Sequence, residues 1–112
     1  MPALTWDDFD KVELRIGTIV AAEEFPEARK PAYRLRVDFG LEIGTKHSSA
    51  QLTDLYTAHD LIGRQVLAVV NFPPKRIAGF LSEVLVTGVQ RADGAVVLVG
   101  SDRRVHNGLR LL

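Results

Sequence analysis

The chain has 112 residues with 14 basic and 14 acidic side chains, so its formal charge at pH 7 is zero. Its length suits one domain over residues 1–112, and an apolar fraction of 46% allows one core. The absence of cysteine excludes disulfides, thiolate metal sites and a cysteine nucleophile, and charge neutrality excludes nucleic-acid binding by bulk attraction alone.

The N-terminus begins with Thr5-Trp6-Asp7-Asp8, which has the spacing of a capping box and predicts a short helix from Trp6 to Asp10. Trp6 and Phe9 then fall three apart on one face. Val12 to Ala22 alternates as a strand, with Leu14, Ile16, Thr18 and Val20 on one side. Gly17 within it predicts a bend or bulge. Glu23 to Pro31, with two prolines, reads as a loop. Tyr33, Leu35, Val37 and Phe39 alternate with Arg34, Arg36 and Asp38, predicting a half-buried strand with a basic outer face.

Thr45 to Leu52 (TKHSSAQL) is a strand that is polar on both faces, and so either an exposed edge or the lining of a site. Thr53 to Ile62 reads as a helix capped by Thr53 and ended by Gly63. Gln65 to Asn71 is dense in apolar residues, as a buried strand is. Phe72 to Phe80 reads as a loop stiffened by Pro73 and Pro74. Ser82 to Val89 and Ala95 to Val99 follow as strands around Ala92-Asp93-Gly94. A helix between the third and fourth strands of a small all-β barrel is the order of the five-stranded oligonucleotide-binding (OB) fold. A plain β-sandwich is the alternative.

Charge is unevenly spread. Met1 to Ala28 holds seven acids against Lys11 and Arg15, a net of −5, so the remainder carries +5. Arg29, Lys30, Arg34 and Arg36 form one basic cluster, Lys75-Arg76 a second and Arg103-Arg104 a third. No apolar run is long enough to span a bilayer and the acidic N-terminus is not a secretory leader, so no membrane insertion and a cytoplasmic address are expected. His47, His59 and His106 stand apart without ligand spacing, so no metal is expected. No phosphate loop, nucleophile elbow or acid–base pair is present, so neither enzymatic activity nor a cofactor is expected.

Three stretches together carry a family resemblance. They are Phe9 to Val20 (FDKVELRIGTIV), Lys46 to Leu52 (KHSSAQL) and Val69 to Leu85 (VVNFPPKRIAGFLSEVL). In order and spacing they resemble the tRNA-binding domain appended to many methionyl-tRNA synthetases and its free-standing relatives. The chain reads Ser82-Glu83-Val84-Leu85 where the appended domains carry a Ser-Glu-Gly-Met type segment. The resemblance implies an OB-fold homodimer that binds tRNA, and, for free-standing members, a secretion-related chaperone role.

Within that frame, Lys46, Lys75 and Arg76 are the expected phosphate contacts, and Ser48, Ser49, Asn71 and Ser82 the polar ones. Phe80 is the expected stacking surface for a base. Phe72, Ile77 and Phe80 could instead offer an apolar pocket to unfolded or exported polypeptides, or simply close the end of the barrel. Trp6, Phe9, Leu109 and Leu111 are apolar groups near the chain ends, and a homodimer contact is one way to cover them.

Overall fold

The computed structural model describes residues 1–112. Thr5 caps the first helix, α1 (Trp6–Asp10), its Oγ1 accepting a hydrogen bond from the Asp8 amide at 3.1 Å. The long first strand, β1 (Leu14–Glu24), pairs antiparallel with β4 (Gln65–Val69) through its first half and with β2 (Tyr33–Asp38) through its second. One strand thereby serves two sides of the barrel. β2 in turn pairs with β3 (Thr45–Ala50), and β4 with the short β7 (Leu85–Val86), giving the order β3-β2-β1-β4-β7.

The change of partner along β1 needs a change of register, and the irregularity lies between Ile19 and Ala21 rather than at Gly17. It shifts the inward face: Ile19 is fully buried and Val20 is exposed, so the side begun by Leu14 and Ile16 does not continue to Val20. Gly17 serves packing instead. A Cβ there would stand 2.6 Å from Val37 Cγ1 and 2.7 Å from Phe39 Cδ1, closer than real carbons approach.

β2 alternates as its sequence does. Tyr33, Leu35 and Val37 face the core, while Arg34 and Arg36 face out. Leu35, Val37, Ile19, Phe39, Leu61 and Val66 are each at most 1% exposed and form the centre of one apolar cluster. Phe39 is followed by one short helical turn, α2 (Gly40–Ile43). The helix between β3 and β4 is also a single turn, α3 (Ala58–Leu61), whose cap is Thr57 rather than Thr53. Residues before it make a turn in which the Tyr56 amide donates to the Leu52 carbonyl, and α3 drives Leu61 into the end of the barrel.

After β4 the chain is more broken than its apolar pattern suggests. Two small hairpins occur: β5 (Lys75–Ile77) with β6 (Phe80–Ser82), and β8 (Gly88–Gln90) with β9 (Val96–Leu98). The C-terminal segment lies along the first half of β1, where Gly108 donates to the Ile16 carbonyl and Leu111 to that of Leu14. Arg15 and Arg110 flank the Glu13 carboxylate at 2.8 and 3.2 Å, tying this segment to β1. Hydrogen bonding from Arg15, reinforced by the charge of Arg110, holds the Glu13 carboxyl below its usual value against a smaller opposing effect of burial.

The remaining gap in the barrel lies between β3 and the Ser82–Val84 stretch. Side chains complete it. The Glu83 amide donates to the His47 carbonyl at 2.8 Å, the His47 amide donates to Glu83 Oε1 at 3.0 Å, and the Ser49 amide donates to Ser82 Oγ at 3.0 Å. Ser48, fully buried, donates its hydroxyl to the Val84 carbonyl at 3.1 Å. No helix is long and apolar enough to cross a membrane.

Candidate functional site

The segment from Phe72 to Phe80 is not a loop but the rise and turn of the β5–β6 hairpin. Ala78 and Gly79 both adopt positive φ, 46° and 81°, which suits a two-residue turn between twisted strands. Directly opposed residues in a hairpin share a face. Lys75 with Ser82 and Ile77 with Phe80 therefore lie on one side, and Arg76 with Leu81 on the other. The hairpin folds against β3, so the Lys75 face meets the polar strand at the seam.

This arrangement makes two clefts that share the hairpin as a wall. The first, about 420 Å³, is lined by Ser49, Gln51, Phe72, Lys75, Ile77 and Ser82, among others. Lys75 supplies the positive charge, the serines and Gln51 supply hydrogen-bonding groups, and Phe72, 54% exposed, supplies an accessible aromatic face. The second cleft, about 360 Å³, lies over the outer face of β1, β2 and β3, lined by Glu23, Arg34, Arg36, His47 and Phe80. Phe80 is fixed there by edge contacts with His47 and with Phe25, at centroid distances of 5.7 and 5.4 Å.

His47 and Glu83 stand between the clefts. Glu83 accepts from the His47 backbone amide, and its carboxylate also lies 3.1 Å from His47 Nδ1. That amide hydrogen bond is the main reason the Glu83 carboxyl is held below its ordinary value. The His47 ring and Lys46 add to the effect, and partial burial opposes it.

Of the residues singled out in the sequence, Ser49, Lys75, Ile77, Phe72 and Ser82 meet in the first cleft, and Phe80 borders the second. The hydroxyl of Ser82 already receives the Ser49 amide, leaving its own proton and remaining acceptor capacity for a ligand. Four residues are not brought in. Ser48 is spent on Val84 inside the barrel. Asn71 clamps the N-terminal segment, accepting from the Glu13 amide and donating to the Lys11 carbonyl. Lys46 shares the face of β3 that carries Ser48, at the rim, and Arg76 faces away from Lys75. Conversely, Phe25 is 3% exposed within a stretch that reads as a loop, and it carries Arg34 over its ring at 5.3 Å. A phenylalanine directly before Pro26 was the only trace of that anchor in the sequence.

At the chain ends, Trp6, Leu109 and Leu111 are exposed and Phe9 is half-buried. Leu109 and Leu111 join Ile16, Leu67 and Val105 around an apolar hollow of about 380 Å³. No three His, Asp or Glu side chains are grouped to hold a metal ion.

The architecture is thus a nearly closed five-stranded antiparallel OB barrel with a basic and aromatic seam on its outside. The family model described as "Putative tRNA binding domain" matches residues 14–110, and the chain belongs to that family. The crystal structure of the chaperone CsaA from Bacillus anthracis superposes with a TM-score of 0.93 at 53% identity, covering 99% of this chain and 100% of that one. The CsaA chaperone protein of Picrophilus torridus gives a TM-score of 0.92 at 46% identity, covering 98% of this chain and 100% of that one. The methionine–tRNA ligase of Chlorobium chlorochromatii is 36% identical over 107 residues, which is 96% of this chain and 15% of the ligase's length.

Proposed function

We propose that the chain is a non-enzymatic, homodimeric tRNA-binding module that acts as one unit over residues 1–112. The observation that carries this reading is the first cleft, where Lys75, Ser49 and Ser82 converge beside the exposed ring of Phe72. Cationic groups next to aromatic faces hold single-stranded nucleic acid by neutralising phosphates while bases stack. Membership of the tRNA-binding family names the RNA class. Arg76 and Lys46 supply outlying charge rather than contacts inside the cleft. A second copy covers the hollow around Leu109 and Leu111 and doubles the basic surface available to one RNA.

Titrating labelled tRNA at several salt concentrations tests this. The K75A/R76A variant should bind more weakly than wild type at low salt and lose affinity less steeply as salt rises. Equally poor binding by both at low salt would refute the proposal. Light scattering at micromolar concentration should find twice the 12.4 kDa chain mass, and the single-chain mass would refute the dimer.

A second reading, capture of unfolded or exported polypeptide in the cytoplasm, is favoured by the apolar part of the same cleft, formed by Phe72, Ile77 and Leu85. The B. anthracis and P. torridus structures are both described as chaperones. Under this reading the protein delays aggregation of an unfolded client at stoichiometric ratio in a salt-insensitive way, and F72S weakens the effect. Failure of the wild-type protein to delay aggregation would remove it.

A further inference from the structure

The second cleft differs in chemistry from the first. One of its two arginines, Arg34, is not free to act as a simple phosphate anchor, because the Glu23 carboxylate lies 3.3 Å from its Nε. That carboxylate would repel a phosphate brought to the same place. The guanidinium is held by stacking over the buried Phe25 ring. Its Nε is closed off from solvent and has no hydrogen-bond partner, since the approach to Glu23 is close but poorly angled. The result is a cation and an anion side by side on the rim of a cleft, with the fixed ring of Phe80 as its wall. Such a site suits a neutral, flat ligand that presents acceptors and donors on adjacent positions of one edge.

We infer that this cleft is a subsite for one unpaired guanine base of the bound RNA. The inference rests on the RNA-binding reading and adds a base preference to it. The Watson–Crick edge of guanine carries the O6 acceptor, which matches a guanidinium, and beside it the N1–H and N2–H donors, which match a carboxylate. On adenine the corresponding edge has its amino donor where guanine has O6, so it opposes the cation. Uracil and cytosine lack the pair of adjacent donors. Phe80 supplies the stacking face and His47 flanks it, while the exposed Arg36 lines the same cleft and is the cation available to the phosphate of the same nucleotide.

The test is competition binding with cytidine heptamers that carry guanosine, adenosine, cytidine or inosine at the central position, at fixed salt. The guanosine oligomer should bind about tenfold more tightly than the adenosine or cytidine one, with inosine between because it lacks the second donor. E23Q should lower guanosine to the level of inosine, and R34K should shrink the whole discrimination. Both variants leave the core untouched and should keep the wild-type melting temperature. K75A, in the other cleft, should weaken all four oligomers alike. Equal affinities for the four, preference for another base, or a guanosine preference unchanged in E23Q would overturn the inference while the RNA-binding reading stands. Absence of binding to every oligomer and to tRNA would overturn both.

Discussion

β2 and the seam between β3 and Ser82–Val84 are neighbours in one barrel, yet they are held in different ways. β2 is paired along its whole length by backbone ladders on both sides, and its side chains need only alternate. The seam has few backbone pairs, and the Ser48 and Ser82 hydroxyls and the Glu83 carboxylate take the place of missing partners. The regular wall presents one face to the core and Arg34, Arg36 and Asp38 outside. At the seam, polar groups are fixed at the surface by the bonds that close the fold. In this chain the stitching and the candidate binding surface therefore share residues.

That contrast makes separable predictions. The largest effect is expected in the wall. L35A, at a fully buried position, should cost about 2–5 kcal/mol in urea unfolding, and G17V should cost about 1–3 kcal/mol by overpacking against Val37 and Phe39. S48A at the seam should cost about 1 kcal/mol by leaving the Val84 carbonyl without its donor, with tRNA affinity at 25 °C unchanged. A clear loss of affinity in folded S48A would mean that this serine contacts ligand.

Acid offers a milder probe of the same closure. Because the Glu83 carboxyl is held below its ordinary value of 4.5 in the folded protein, its ionised form stabilises the fold. That contribution is present above 4.5 and is lost as pH falls through the lowered folded value. Glu13 behaves in the same sense at the C-terminal tie. Melting temperatures followed down from pH 7 should fall below pH 4.5, and E83Q should flatten part of that fall while leaving the share due to Glu13. An E83Q profile parallel to wild type would contradict the role given to the His47–Glu83 link. The smallest effect on stability is expected from K75A, within about 0.5 kcal/mol, since Lys75 is exposed.

Much of the wall was legible in the sequence because burial imposes a period of two on β2 and a dense apolar run on β4. The Thr5 cap and the helix between β3 and β4 were legible for similarly local reasons, although that helix shrank to one turn at Thr57. The seam was less so. A serine that donates into the core and one that faces a ligand look the same in a one-dimensional pattern, which is why Ser48 and Ser49 could not be told apart. Asn71 has the same ambiguity: its amide suits RNA but is used on Lys11 and Glu13. The division of Lys75 from Arg76 depends on the hairpin register, and that register depends on positive φ at Ala78, a position where alanine gives no warning. The pairing of Phe25 with Arg34 joins separate elements and has no signature in spacing.

On the proposed function, the charge that matters for RNA is at the seam, in a protein whose total charge is zero. A second arginine cluster, Arg64, Arg103 and Arg104 around Tyr56, provides an internal control. The most direct measurement is the slope of log affinity for tRNA against log salt in wild type, K75A and R103A. K75A should lower the slope by about one unit and R103A should leave it unchanged. An unchanged slope in K75A with a reduced slope in R103A would contradict that reading.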